Sequence, residues 1–492
     1  MYRPFLLIGI GALLASFAAL KSIPVSAAII LFFAATTLLL IIRKPNQLNK
    51  GVIIALIFIV LFIRVVTLGA FIENKSRQIV GDTADISAEI IDVGYSTNKY
   101  SSVILKIKES SNKAAEGLTV NATFRYSLAA LPGDIINAEI LFVPLKEDTK
   151  AYNFGKGYHF AGEVSEIYSY SQNKGSFWRF LYDLRTAILG AIEYSGQDEA
   201  GSVLKALIIG DDSEISNELY DTVKATGVSH MLVVSGMHLS LLCGIMLNVL
   251  NGKTKILIKF LVCSFTSLFI LAACLFHISI LRAGIAYFVM LFGRLFNRTT
   301  DSLSSLGFAV AVSFISNPYI FYNVAFLLSI AATFAVLYPS AMLIEAADFS
   351  RFGHIGRLLK GIYDIFVIAT CSMVCTMPII VHYFGYVALV SPIANLAVTF
   401  AMNSALVLGV ISVILFFLPF GKFISLPLFF LSRAFVKFFI LAITAIGEDN
   451  FGVLTVPQGK NIYCFFIACA FILLVRALSR RLILKREEKL NA

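Results

Sequence analysis

Polar and apolar positions along the chain fall into three regimes. At the start, Phe5–Leu20, Val25–Ile42 and Val52–Ile72 are apolar runs with few interruptions. The second and third have the ~20-residue length of a membrane-spanning helix. The first is short enough for a signal peptide, yet it has one Arg before it and no clear small-x-small cleavage site. From Glu73 to Asn173 the period changes to two. Ile86–Val93, Val103–Ile107, Leu118–Tyr126 and Ile135–Val143 alternate as half-buried strands do. Turn chemistry separates them at Ser96-Thr97-Asn98, Ser110-Ser111-Asn112 and Pro132-Gly133-Asp134. Four or five short strands predict a small barrel, of which an OB-like barrel is one form. Ala151–Val164 reads as an aromatic- and glycine-rich connector. Phe177, Phe180, Leu181, Leu184, Ile188 and Ile192 then recur at helical spacing. This amphipathic helix either lies in the headgroup layer or packs on the barrel.

The third regime is apolar again. Val203–Ile209 leads into Gly210-Asp211-Asp212, and Ser216 caps a short helix, Asn217–Thr226, ended by Gly227. Leu303–Ser316, Tyr319–Leu343, Ile362–Phe384, Val390–Leu418, Phe423–Ile446 and Ile462–Leu484 follow as hydrophobic elements. Pro318, Pro378 and Pro392 interrupt them, which suits broken helices around a cavity. Asn395 and Asn403 share one long span and read as interhelical hydrogen-bonding groups. Counting short pieces, roughly nine to eleven spans or re-entrant segments are expected. The fold class is a predominantly α-helical polytopic membrane protein with a small all-β, OB-like domain. Its parts are N-terminal helices (1–72), the barrel (73–173), an interfacial helix and connector (174–227), a transmembrane domain (228–484) and a basic tail (485–492).

Composition sharpens this. Hydrophobic residues make up 58% of the chain and charged residues 14%, against about a quarter charged in soluble domains. The net charge is +10, but where the charge sits matters more than its sum. Arg43, Lys44 and Lys50, and later Arg476, Arg480, Arg481, Lys485, Arg486 and Lys489, place both termini in the cytoplasm and the barrel outside. Acidic residues slightly outnumber basic ones in the barrel, so it is not a basic nucleic-acid trap. Its aromatics, Tyr95, Tyr100, Phe124 and Tyr126, are core and strand-face residues or base-stacking platforms. The seven cysteines lie in apolar segments without a zinc set, and no disulfide framework or cofactor is expected.

The polar residues inside the apolar regime carry the chemistry. Gly227–Leu242, GVSHMLVVSGMHLSLL, puts two histidines, two serines and two glycines into a membrane-quality run. Polar groups at that depth face a bundle interior or a wet cavity. His230 and His238 are eight residues apart, about 80° around a helix, so both can face one cavity. Ser235 and His238 can hydrogen-bond along one face, and Ser235-Gly236 marks a break that frees backbone groups. A nucleophile–base pair has the same two residue types, but no Gly-x-Ser-x-Gly elbow is present. Arg282 is a second buried candidate. It contacts a passing phosphate, or pairs with Asp211 or another carboxylate. His277 is placed at a helix end and Arg64 inside a span, without a role.

Together these residues resemble the ComEC-type competence proteins. The resemblance rests on Gly210-Asp211, on His230 through His238, on Arg282-Ala283-Gly284, and on Asn317-Pro318 with Phe326-Leu327-Leu328-Ser329. It continues through Pro378, Phe384-Gly385 and Ser391-Pro392-Ile393-Ala394-Asn395. It implies an inner-membrane channel passing single-stranded DNA into the cytoplasm during natural transformation, with Asp211, His230, Ser235, Gly236, His238 and Arg282 as its polar centre. It also implies a DNA receptor protein and a cytosolic ATPase motor. Many family members carry a metallo-β-lactamase-like domain. No His-x-His-x-Asp-His occurs here, so a separate nuclease is expected; no Walker A loop is present, so the driving force is expected from outside the chain and the chain is not expected to be an enzyme. The rival expectations are a small-solute secondary transporter and an intramembrane Ser/His hydrolase.

Overall fold

The computed structural model describes residues 4–42, 48–96, 100–125, 131–250, 254–275, 278–296, 301–349, 352–448, 452–457 and 461–491. Arg43, Lys44, Thr97, Asn98, Tyr126 and His277 lie outside the described residues, as do the side chains of Lys50, Tyr95, Lys485, Arg486 and Lys489. The chain divides into two compact units, residues 1–186 with 307–323, and residues 187–306 with 324–492.

The first unit opens with three helices, α1 (Pro4–Ala19), α2 (Ile23–Ile42) and α3 (Leu48–Ile79). The apolar part of α3 is followed by two polar turns, and Ile79 at its end is buried in the barrel core. The barrel comprises β1 (Thr83–Ser96), β2 (Ser101–Ser110), β3 (Thr119–Phe124), β4 (Ile135–Val143) and, after α4 (Glu147–Lys156), β5 (Phe160–Ser171). It closes in the order β1-β2-β3-β5-β4, with β3 and β5 parallel and every other pair antiparallel. This is a five-stranded OB-like barrel. Alternation works as expected: in β4 every second residue, Ile136, Ala138, Ile140 and Phe142, is buried. Sealing a Phe such as Phe124 or Phe142 contributes about 2–3 kcal/mol.

The segment Ala151–Val164 is not a connector but the second half of α4 and the start of β5. Its glycines serve close packing. A β-carbon on Gly155 would meet the Tyr322 backbone at 2.6 Å, and one on Gly162 would meet Ile140 at 2.4 Å. Gly157 (φ +86°) ends α4 in the left-handed conformation. The Pro132-Gly133-Asp134 turn receives α5 (Phe177–Glu193): Gly133 abuts the Arg179 backbone, and Arg179 pairs with the buried Asp134 carboxylate at 3.3 Å. On α5, Leu181, Ile188 and Ile192 are buried, whereas Phe177 and Phe180 are exposed.

Arg64 gains a role. From α3 it donates to the carbonyls of Ile315 (2.7 Å) and Ser316 (3.2 Å), the otherwise unsatisfied C-terminal end of α11 (Ser302–Ser316). The next residue, Asn317, donates to the Phe154 and Gly155 carbonyls at the end of α4. His159 lies against Phe154 and Tyr319. Burial first, and the Arg64 charge second, pull its imidazole down to about 4.

The second unit contains α6 (Glu199–Ile209), α7 (Asn217–Ala225), α8 (Gly236–Val249), α9 (Ile256–Ala273) and α10 (Ile278–Leu295). After α11 come α12 (Val324–Ala335), a π-turn at Val336–Ser340 holding Pro339, α13 (Ala341–Ala346), α14 (Gly353–Phe384), α15 (Ser391–Phe416), α16 (Gly421–Gly447) and α17 (Asn461–Asn491). A small ribbon pairs β6 (Tyr386–Ala388) with β7 (Val453–Thr455). Among the described residues, seven helices are long and apolar enough to cross a membrane, and five further apolar helices are shorter. The chain is a polytopic α-helical membrane protein with a small β-barrel domain.

The prolines act unequally. Pro318 is buried in the gap between α11 and α12, and Pro392 occupies the first turn of α15, where a missing N–H is harmless. Pro378 breaks nothing: α14 runs through it to Gly385. A long helix held by neighbours on both sides of the proline absorbs the one lost hydrogen bond.

Candidate functional site

Val228 and Met231 are buried and anchor a 3-10 turn, Ser229–Met231, which holds His230 with its side chain exposed. Extended residues follow, and Ser235 (φ −130°, ψ 174°) starts α8 as its N-cap. The expected break at Ser235-Gly236 is therefore a helix start. His230 and His238 do not lie on one helix, so helical spacing does not relate their directions. His238 is buried, 1% exposed.

Ser235 and His238 form a capping box. The Ser235 amide donates to His238 Nδ1 at 3.0 Å, and the Ser235 hydroxyl stands 3.0 Å from the same nitrogen. That hydroxyl also accepts from the Met237 amide at 3.3 Å. Because Nδ1 accepts from the backbone, the neutral ring carries its proton on Nε2. The nitrogen facing Ser235 is already engaged by an amide, which is poor geometry for a general base acting on that hydroxyl.

Gly236 brings α8 against α10. A β-carbon on it would sit 2.8 Å from the Ala283 Cβ and 3.8 Å from Arg282 Nη2. Arg282 is 3% exposed. Its Nη2 donates to Ser329 Oγ at 2.6 Å and to Thr333 Oγ1 at 3.2 Å, both on α12. Its Nε is buried and has no hydrogen-bond partner. Among the described residues Arg282 makes no ion pair, so the structural carboxylate partner is absent from its surroundings. Asp211 instead accepts the Ser213 hydroxyl at 2.7 Å in the turn after α6. Gly210 (φ +71°) lets that turn approach Val234, at 3.2 Å from a β-carbon.

α8 has 14 residues, about 21 Å of helix against the ~30 Å hydrocarbon layer. Its N-terminus, with the partial positive charge of the helix dipole, meets the Arg282 guanidinium, and among the described residues no carboxylate pairs with that guanidinium. The arrangement can receive an anion.

Asn395 lies elsewhere on the same framework. Its amide donates within α15, to Ser391 O at 2.8 Å and Ser391 Oγ at 3.1 Å, not across helices. Ser391 Oγ in turn donates to the Gly227 carbonyl at 3.2 Å. Gly227 (φ +71°) has no room for a side chain against Ser391 and Ala388. The Ser391–Asn395 turn thus fixes the start of the His230 segment.

A buried charge network escaped the sequence reading. Arg433, midway along α16, pairs with Asp198 at 2.6 Å and donates to Ser195 Oγ at 3.3 Å. Gly196 (φ +132°) leaves space for the guanidinium, which a β-carbon would meet at 2.4 Å. Burial opposes ionisation of Asp198, but the Gly201 amide and Arg433 together hold its carboxyl below the usual range. Lys205 of α6, 4% exposed at its side chain, bridges Glu193 (2.7 Å) and Glu214 (2.6 Å). The signal available was a charged residue in the middle of an apolar run.

The chain is 22% identical over 356 residues to ComE operon protein 3 of Bacillus subtilis (strain 168), a match covering 69% of this chain and 42% of that protein. It thus spans less than half the length of this curated relative. No solved structure matches the chain. A family model described as Competence protein matches residues 207–481, from α6 into α17, including the whole Gly227–Leu242 segment and Arg282. The chain belongs to the Competence protein family.

Proposed function

We propose that the chain forms the membrane path by which single-stranded DNA enters the cytoplasm during natural transformation, with Asp211, His230, Ser235, Gly236, His238 and Arg282 as its polar centre. The observation that carries this is the Arg282 guanidinium: buried, held at one nitrogen by two hydroxyls, unpartnered at Nε, and set beside the N-terminus of α8. A buried cation without a counter-ion is costly, and a phosphodiester passing it supplies both the charge and the acceptor oxygens. One fixed charge binds each phosphate weakly enough to release it, as conduction requires.

The remaining features follow the family and the charge pattern. The path lies in the bacterial inner membrane, the barrel faces outward and both termini face the cytoplasm. A DNA receptor delivers the strand, a separate nuclease removes its complement, and a cytosolic ATPase draws it in. Small-solute transport shares the helix start at mid-membrane, so the test must separate the two. Purified full-length chain in liposomes under an imposed potential, offered a labelled single strand outside, is expected to shelter the strand from added nuclease while duplex stays exposed. Shelter no greater than in protein-free liposomes contradicts the proposal.

A further inference from the structure

Midway along α15 the Asn403 amide and the neighbouring Ser404 hydroxyl open into a groove of about 550 Å³. Leu241 of α8, Ile365 of α14, Phe400 of α15 and Phe435 of α16 form its walls. Among the described residues neither Asn403 nor Ser404 has a hydrogen-bond partner. α15 has 26 residues, about 39 Å, long enough to cross the ~30 Å hydrocarbon layer and place its middle at membrane depth. An amide there without a protein partner needs a polar occupant, because hydrocarbon offers none. The groove walls bear no charged residue. Leu241, at the groove wall, is one turn along α8 from His238 and therefore on the same side of that helix.

We infer that this groove is a nucleobase subsite of the translocation path, an inference that rests on the single-strand transport proposed above. The chemistry matches a base better than a phosphate. Phe400 and Phe435 offer flat apolar faces on which any base stacks. The Asn403 amide presents a donor and an acceptor side by side, the pattern that pairs with a base edge. Charge is handled at Arg282, so the two sites divide the strand between them: phosphate at the guanidinium, base in the groove.

The test uses full-length chain in lipid nanodiscs and fluorescence anisotropy with two labelled oligomers of equal length and charge, a deoxythymidine 12-mer and its abasic counterpart. Wild type is expected to bind the base-bearing oligomer about tenfold more tightly. Asn403→Leu, close in size, and Phe400→Ala are expected to erase that preference, whereas Arg282→Met weakens both oligomers together and preserves the ratio. Equal binding of both oligomers by wild type, or an unchanged ratio in Asn403→Leu, overturns the subsite and leaves strand transport standing. No binding of either oligomer overturns both. A shift from dimer to monomer in Asn403→Leu with the ratio intact would assign the groove to a second copy of the chain and also overturn the inference.

Discussion

Gly236 of α8 and Ala283 of α10 approach so closely that a β-carbon on the glycine would lie 2.8 Å from the Ala283 Cβ. This contact sets the distance between the α8 N-terminus and Arg282. Gly236→Ala is expected to push the helices apart and destabilise the chain by about 1–3 kcal/mol. Ala283→Gly in the same chain removes the opposing carbon and restores most of the loss. Thermal unfolding of the purified single and double variants checks this; equal melting of Gly236→Ala and wild type contradicts it.

Arg282 separates function from stability. Its guanidinium is desolvated and makes no ion pair among the described residues, so exchange for an apolar side chain of similar length relieves a cost as it removes two hydrogen bonds. Arg282→Met is expected to change stability by no more than about 1 kcal/mol. DNA passage should nevertheless fall at least about tenfold, the equivalent of one charge-assisted hydrogen bond. A variant that unfolds, measured by its melting temperature, would make Arg282 a structural residue.

His159 supplies a pH dependence. Its folded-state value of about 4 lies below the ordinary 6.5. Between these limits the unfolded chain binds the extra proton and the folded chain does not. The stability due to the neutral ring is therefore complete above pH 6.5 and lost as pH falls toward 4, by about 2–3 kcal/mol for a partly buried group. Amide protection factors in α4 and β5, taken against the intrinsic exchange rate at each pH, should fall as pH drops through that window in wild type and stay flat in His159→Gln. The same fall in both chains contradicts the assignment.

The Arg433–Asp198 pair is measurable as a coupling. The Asp198 side chain is 42% exposed, so water takes over part of its solvation when Arg433 is removed. Arg433→Met and Asp198→Asn should each destabilise the chain, and the double variant should lose about 1 kcal/mol less than the two effects added. Strict additivity in unfolding experiments would mean that the contact contributes nothing.

Strands β1 to β4 were legible because each buries one face, so alternation survives in the sequence. β5 was not, because Gly155, Gly157 and Gly162 are there for close approach and a left-handed cap, and look in sequence like a loop. The Ser235–His238 bond followed from a spacing of three, which holds in a capping box as on a helix face. The relation between His230 and His238 did not follow, because the break between them falls at Ser235 and no periodicity crosses it. Pro378 misled for the opposite reason: it signals a break by itself, and only its packed neighbours keep α14 continuous. Arg433 stands out in the sequence only as a lone charge amid Phe and Leu. Its partner Asp198 is distant in sequence and found only in the fold.

The most direct measurement is uptake of a fluorescent DNA into the cytoplasm of a strain lacking this chain, complemented with wild type, Arg282→Met or His238→Ala at equal membrane levels. The deletion is expected to give no cytoplasmic signal, wild type full recovery, and Arg282→Met recovery of at most about a tenth. Undiminished uptake in the deletion strain would contradict strand transport.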